Sequence, residues 1–310
     1  MTLIVLIALH IASVFAFWYI DAKALIAAAI LHFTCISWGI GMGYHRLLTH
    51  RSYKAPKWME YMVAILGTMT LEGGPIFWVG THRIHHQSSD ESEDPHSPRD
   101  GAFWSHMGWI IFGQSHHSEV DYFRRYAPDL TRNRFYVLLN KFHYVPLLVT
   151  GALLYLWGGL PAFLWAGCLR VVVGLHCTWL VNSATHMWGS RRFVTKDDSR
   201  NNWWVGLLTF GEGWHNNHHA KPNSARHGLA WYELDITWLQ IKALEKLGVV
   251  SGVKEASVRD AEAKRFATGR LLVTTWIERP TSRRATSKVV VPPSRRTVSP
   301  SSIRSAAARA

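Results

Sequence analysis

One histidine pattern occurs twice in this chain. Thr81-His82-Arg83-Ile84-His85-His86 and His215-Asn216-Asn217-His218-His219 both read His-x-x-His-His. On a helix, residues at i, i+3 and i+4 project from one side. The adjacent pair, His85 and His86, diverge there by about 100°. One of the two can face an ion shared with His82 while the other reaches a second ion. His45 and His50 form a further group, and Asn182 and His186 an i, i+4 pair. These nine histidines are half of the 18 in the chain. A lone histidine reads as a core residue with a hydrogen-bond partner, but two such clusters point to bound metal.

Imidazole suits Zn, Cu, Fe or Ni, so the donor type leaves the metal open. Eight or nine ligands exceed what one first-row ion holds, which implies two ions close together. No His-Glu-x-x-His is present, so the glutamate base of a zinc hydrolase is missing. Di-iron sites in soluble helical bundles are built on Glu-x-x-His pairs instead.

The surroundings of the histidines are apolar. Hydrophobic residues make up 48% of the 310 and gather in long runs, with 16 tryptophans, which indicates an integral membrane protein. The net charge of +13 sits at the ends of these runs and in the C-terminal tail. That distribution reads as cytoplasmic and phospholipid-facing charge and not as a nucleic-acid surface. Cys35, Cys168 and Cys177 all lie in apolar segments without Cys-x-x-Cys spacing, so no disulfide framework or thiolate site is expected.

Residues 3–20 and 24–43 read as a first membrane hairpin turned at Asp21-Ala22-Lys23, with no signal-peptide n-region before it. On an ideal helix His45 and His50, at i and i+5, stand about 140° apart. They converge only if the helix bends or ends there, for which Gly39, Gly41 and Gly43 are suggestive. The run 57–79, broken by Glu72-Gly73-Gly74-Pro75, reads as interfacial or re-entrant. Residues 87–100 are a polar, acidic loop, and 101–143 form helical segments of a membrane-facing surface. Residues 145–157 and 161–181 form a second hairpin turned by Gly158-Gly159. Arg170 within it needs a partner at the site, on a lipid phosphate or on another helix. The connections bearing histidines are rich in Lys and Arg and the hairpin turns are not, which predicts cytoplasmic termini and a cytoplasmic site. Residues 229–247 pattern as an amphipathic helix with Trp231, Leu234, Trp238, Ile241 and Leu244 on one stripe. Residues 253–274 are predicted helical, and 276–310 disordered.

His45-Arg-Leu-Leu-Thr-His50, Trp78-Val-Gly-Thr-His82-Arg-Ile-His-His86, Asn182-Ser-Ala-Thr-His186 and Gly211-Glu-Gly-Trp-His215-Asn-Asn-His-His219 together resemble the histidine boxes of membrane fatty-acid desaturases, in particular the stearoyl (Δ9) type. The resemblance runs from about residue 30 to 245, within a desaturase domain placed at 1–275. It implies an all-α integral membrane fold: four transmembrane helices in two hairpins and a cytosolic helical cap carrying a di-iron site. By the resemblance, His45, His50, His82, His85, His86, His186, His215, His218 and His219 hold two irons, and Asn182 holds a water on one of them. It also implies O₂ as co-substrate and a cis double bond as product. Trp78, Thr178 and Trp179 match positions at the bend of the family's substrate tunnel, and Phe33 and Ser37 are candidates for its closed end. Animal members carry Arg-Asp before the second box, where it helps to hold coenzyme A. Gly80-Thr81 stand here instead, and the nearby Glu72-Gly-Gly-Pro-Ile-Phe-Trp78 resembles bacterial, cyanobacterial and plant members. The acyl carrier is therefore open among coenzyme A, a glycerolipid and a carrier protein. Without a His-Pro-Gly-Gly haem motif, electrons are expected from a separate ferredoxin or cytochrome b5-like donor. A related di-iron hydroxylase is the nearest alternative. A metal transporter is disfavoured because its ligands would lie at mid-membrane.

Overall fold

The computed structural model describes residues 2–113 and 120–257. Among these the chain is helical, and its only β contacts are isolated bridges such as Lys54 with Ser251. Helix α1 (Thr2–Ala16) stops before the aromatic pair Trp18-Tyr19, and α2 (Ala22–Phe33) begins after it. The connection between them is residues 17–21 and not Asp21-Ala22-Lys23, and Asp21 at its end caps α2, accepting from Ala24 N at 2.9 Å. Neither helix uses the other as its main support, because both lie against residues 163–169.

From Thr34 to Thr49 the second helix is wound as a π-helix. Hydrogen bonds then run i to i+5, and His50 N donates to His45 O at 3.1 Å. Five residues now make about one turn, so His45 and His50 fall on one side. This winding, and not a bend, brings the first histidine pair together. The three glycines serve packing. A Cβ on Gly39 would stand 2.6 Å from Gly67 N, and one on Gly43 2.9 Å from Val63 Cβ. These glycines let α3 (Lys57–Thr68) lie directly on the π segment.

The run 57–79 is broken, with Leu71 and Gly73 at φ 65° and 101° between α3 and α4 (Pro75–Gln87). Pro75 opens α4, where a missing N–H costs nothing. Beyond short turns, α5 (Arg134–Lys141) leads to α6 (Val145–Ala162), which kinks at Gly159 (φ 63°). The chain folds back there, so Gly151 and Gly167 both face Phe163. Residues 163–169 are again π-wound and continue into α7 (Arg170–Asn182). Arg170 turns to another helix, giving its Nη1–H to Met69 O, at the end of α3, at 2.7 Å. The short helices α8 (Ala184–Met187) and α9 (His215–Ala220) follow, and α10 (Ile236–Lys246) is the last helix among the described residues.

That last helix corrects the expected 229–247 span. Asp235 caps it by accepting from Trp238 N at 3.0 Å, so Trp231 and Leu234 precede the helix and are exposed, Trp231 at 94%. Ile241 is buried, and Trp238 and Leu244 pack on the main core with Met42, Tyr44, Val63 and Ile76. Residues 253–257 are not helical; the rest of 253–274 and the tail 276–310 lie outside the described residues. Among the described residues, two helical stretches are long and apolar enough to cross a membrane, Ala22–Thr49 and Val145–Met187. At 43 residues the second is far longer than one crossing of about 20 needs, and the Gly159 kink divides it. Helix α1 is apolar but only 15 residues long.

Candidate metal centre

Four elements deliver the histidines to one place: the end of the π segment, α4, α8 and α9. Their ring nitrogens fall into two groups. His45, His50, His82, His86 and His218 form one, and His85, His186, His215 and His219 the other, with nitrogens in each group within 4.8 Å. The division follows helical geometry. On α4 the i and i+4 residues, His82 and His86, join the first group while His85 goes to the second. On α9 the assignment is reversed: His215 and His219 join the second group and His218 the first.

Several of these nitrogens meet without a hydrogen-bonding explanation. His45 gives its Nδ1–H to Glu212, which leaves Nε2 as a bare acceptor, 2.9 Å from His218 Nε2. His218 Nε2 is also 2.9 Å from His86 Nε2, and His82 and His86 meet at 3.1 Å through the same atoms. In the second group His85 and His219 Nε2 are 3.3 Å apart. Two nitrogens bound about 2.1 Å from one ion at a right angle lie about 3.0 Å from each other. Buried ring nitrogens of His50, His186 and His215 have no hydrogen-bond partner at all. The donor set and its orphaned atoms therefore fit a pair of metal ions.

Electrostatics keep six of these rings in the ligand form. Burial, helped by repulsion between neighbouring imidazoles, holds His50, His82, His86, His215 and His218 well below the ordinary histidine range. Burial also lowers His219, to about 4, against the pull of Asp197. His85 moves the other way: burial lowers it, but Asp94, with Asp90 and Asp197, more than offsets this.

Carboxylates orient the rings from behind. Asp94 accepts from His85 Nδ1 at 2.8 Å, Asp90 from His186 Nδ1 at 3.0 Å and Asp197 from His219 Nδ1 at 3.0 Å. Each bond fixes the tautomer that turns Nε2 inward. Sequence reasoning missed these partners. Asp90 and Asp94 belong to the acidic loop after the second box, and Glu212 stands three residues before His215 in Glu-x-x-His spacing, and these are the signals that could have found them. Glu212 also accepts from the fully buried Arg46 at 2.9 Å, and Arg46 reaches Asp235 and the Ala225 carbonyl. Through these contacts the first histidine box is tied to the last. His96 and His227, also buried, lie beside the two groups: His96 faces His85 with ring centroids 4.5 Å apart, and His227 faces His218 at 4.4 Å.

A cavity of about 740 Å³ leads to this centre, within the range for small-molecule sites, and is lined mainly by apolar side chains. His45, His82, His215 and Asn182 stand in its wall, as do Trp78, Thr178 and Trp179. Trp78 lies over His82 (centroids 4.9 Å) and gives its indole N–H to Glu72 at 2.9 Å. Burial raises the Glu72 carboxyl to about 7 despite hydrogen bonds from Trp78 and two threonines. Phe33 and Ser37 are not among the residues that line this cavity. Phe33 packs edge-on to Phe210, and Ser37 bonds Thr237 and Gln240. Ile36 and Ile40 line the cavity from that helix instead.

The fold and this centre define a helical protein with two histidine groups able to hold metal at the end of an apolar cavity. Residues 22–250 match the family model described as fatty acid desaturase. Among curated proteins, an sn-1 stearoyl-lipid 9-desaturase of Anabaena variabilis is 46% identical over 250 residues, 80% of this chain and 91% of that protein. An sn-2 palmitoyl-lipid 9-desaturase of Nostoc is 44% identical over 245 residues, 79% of this chain and 86% of that protein. A chloroplastic palmitoyl-monogalactosyldiacylglycerol delta-7 desaturase of Arabidopsis thaliana is 42% identical over 263 residues, 85% of this chain and 70% of that protein. The chain belongs to the fatty acid desaturase family, whose enzymes are oxidoreductases.

Proposed function

We propose that this protein places a cis double bond at Δ9 of a saturated acyl chain carried on a membrane glycerolipid, using O₂ and two electrons from a separate donor. The observation that carries the reading is the meeting of the two imidazole groups with an apolar cavity. The lipid-linked substrates in the names of the relatives support the carrier and the position. When bound, two irons supply O₂-dependent removal of hydrogen from unactivated methylenes. His45, His50, His82, His86 and His218 are assigned to one iron. His85, His186, His215 and His219 are assigned to the other, with Asn182 orienting a water beside it.

The protein's own part is positioning and exclusion of water. Methylenes of one chain are chemically alike, so the site of reaction is set by where the wall holds them. Trp78, Thr178 and Trp179 are assigned to the wall at the reacting carbons, with Glu72 fixing the Trp78 indole. Residues 1–275 are assigned to the catalytic unit. We read α1, α2 with its π segment, α6 and α7 as four membrane crossings, with both termini and the metal centre on the cytoplasmic side. The excess of Lys and Arg in the histidine-bearing connections supports that orientation. An acidic donor, a ferredoxin or a cytochrome b5-like protein, suits the basic surface.

The test is the fatty-acid profile of cells expressing the protein or its His218→Ala variant, in a host supplying such a donor. A new cis-Δ9 monoene from the intact protein alone is expected. A hydroxy acid in its place moves the protein to the hydroxylases. No product with any of several donors refutes the reading.

A further inference from the structure

We propose that the acyl chain reaches the cavity sideways from the bilayer, through a doorway between the first half of α1 and the first half of α6. Its glycerolipid headgroup stays outside, at Lys141 and His143. This rests on the desaturase reading above and adds the route and the residues that frame it.

Thr2, Val5, Leu6 and Leu9 of α1 line the cavity, and their spacing puts them on one stripe of the helix. Leu147, Leu148 and Gly151 of α6 also line it. Residues 163–169 form the back, through Phe163, Gly167 and Cys168. Both helices use that back as their main support. Helix α1 otherwise leans on α7 and on residues 109–111, and α6 on α2 and α3. The two helices thus rest on these neighbours more than on each other, and Leu147 joins the apolar cluster of Leu6 and Leu9 at the margin of the cavity.

This space opens outward. Val5 is 41% and Leu148 64% exposed, yet both also line the cavity, so cavity and outer surface meet at these residues. The outer surface there is apolar. Ile4, Val149 and Leu153 are exposed beside the opening, on helices with no charged side chain within Thr2–Ala16 or Val145–Ala162. Gly151 presents no side chain to the gap, where a Cβ would meet the Phe163 ring at 3.4 Å.

The rim has a different chemistry. Lys141, His143 and Tyr144 line the same cavity and immediately precede the apolar stretch that starts at Val145. Lys141 is exposed, with its ammonium 5.4 Å from the Phe142 ring centre. A cation and two amphipathic rings at the start of a membrane helix mark the level of lipid headgroups. An acyl chain passing between α1 and α6 stays in hydrocarbon throughout, whereas one delivered from the cytosol crosses water. The arrangement thus selects a diacyl glycerolipid of the leaflet at the Thr2 end of α1.

Two experiments on the full-length, iron-loaded protein in liposomes test this. In the first, a Val5→Cys/Leu148→Cys variant is bridged with a disulfide-containing bis-maleimide, and bridging is followed by mass. The single-cysteine variants control for the native, buried Cys35, Cys168 and Cys177. Bridging is expected to cut desaturation of stearoyl phosphatidylglycerol at least tenfold, with recovery when the reagent is cleaved. Lipid turnover within twofold of the unbridged protein overturns the doorway. An unmodified protein inactive on both this lipid and stearoyl-CoA, with each of several ferredoxin and cytochrome b5-like donors supplied, overturns the desaturase reading instead.

The second experiment needs no turnover. Phosphatidylglycerol carrying a diazirine near the carboxyl end of its stearoyl chain is photolysed with the protein, and labelled peptides are mapped. Label on Thr2–Leu9 and Tyr144–Gly151 is expected. Label confined to α10, or to any surface outside these two stretches, overturns the proposal even if no bridge forms between the two introduced cysteines.

Discussion

Asp94→Asn should release one metal ion and spare the other. Asp94 accepts from His85 Nδ1 at 2.8 Å, from Asp90 N at 2.8 Å and from His96 N at 3.2 Å. Burial pushes its carboxyl up, but His85, His96 and these hydrogen bonds hold it well below the ordinary carboxylate range. The side chain is therefore ionised when it orients His85. Asparagine keeps the shape but replaces one acceptor oxygen with a donor and removes the charge. A hydrogen bond to a charged group contributes about 1.5–3 kcal/mol, and at about 1.4 kcal/mol per decade that is a ~10–100-fold loss of affinity. The same range is typical when a carboxylate behind a metal-bound histidine is removed. None of the five histidines in the first group bonds to Asp94, and the carboxylate behind that group is Glu212. Purified protein dialysed against graded chelator, with metal counted by mass spectrometry, should lose about two ions per chain in the parent. In the variant, about one ion should leave at ~10–100-fold less chelator and the other at the parent concentration. Joint loss of both ions, or an unchanged titration, refutes the two-group reading.

Other outcomes follow from the same geometry. His218→Ala should abolish product while leaving the protein in the membrane, checked by fatty-acid analysis at matched protein level. In metal-free protein the depressed histidines make the folded state refuse protons that the unfolded chain accepts below about pH 6.5. Stability should therefore fall as pH drops from there towards about 4, where folded His219 titrates, by ~1.4 kcal/mol per pH unit for each such group, read from melts in chelator. Glu72, raised to about 7, places a charge in the cavity wall once it ionises, so activity should decline above neutral pH. Glu72→Gln keeps an acceptor for the Trp78 indole and should remove that decline in a pH–rate profile. Arg46→Met strands Glu212 and Asp235 and should cost ~3–5 kcal/mol, seen as a lower midpoint in denaturant.

What can be read from the sequence is whatever depends on local period. The two His-x-x-His-His boxes carry their geometry in their spacing, and the Gly158-Gly159 break and the Pro75 helix start are local signals of the same kind. The convergence of His45 and His50 is not readable, because no residue pattern announces a π-helix and an ideal α-helix separates the pair. The role of Gly39 and Gly43 depends on where α3 lies, which is tertiary information. The same holds for Ser37, which a helical wheel turns away from the histidines but which is held by Gln240, 203 residues on. Trp231 fits a buried stripe only while the helix is extended back through it, and Asp235 is the cap that starts the helix after it.

The carboxylates show why pairing partners are harder to read than ligands. A ligand histidine is recognisable from its own helix, whereas the acid behind it can come from anywhere: nine residues away for His85, 96 for His186 and 167 for His45. This also separates two kinds of control over the centre. Each His-x-x-His-His box sends residues to both groups, so shifting α4 or α9 as a body disturbs both metal positions together. Each carboxylate touches histidines of one group only. Substitutions at Asp90, Asp94 and Asp197 act on the second group, and those at Glu212 on the first. The two positions can thus be tuned independently, although neither α4 nor α9 serves one alone.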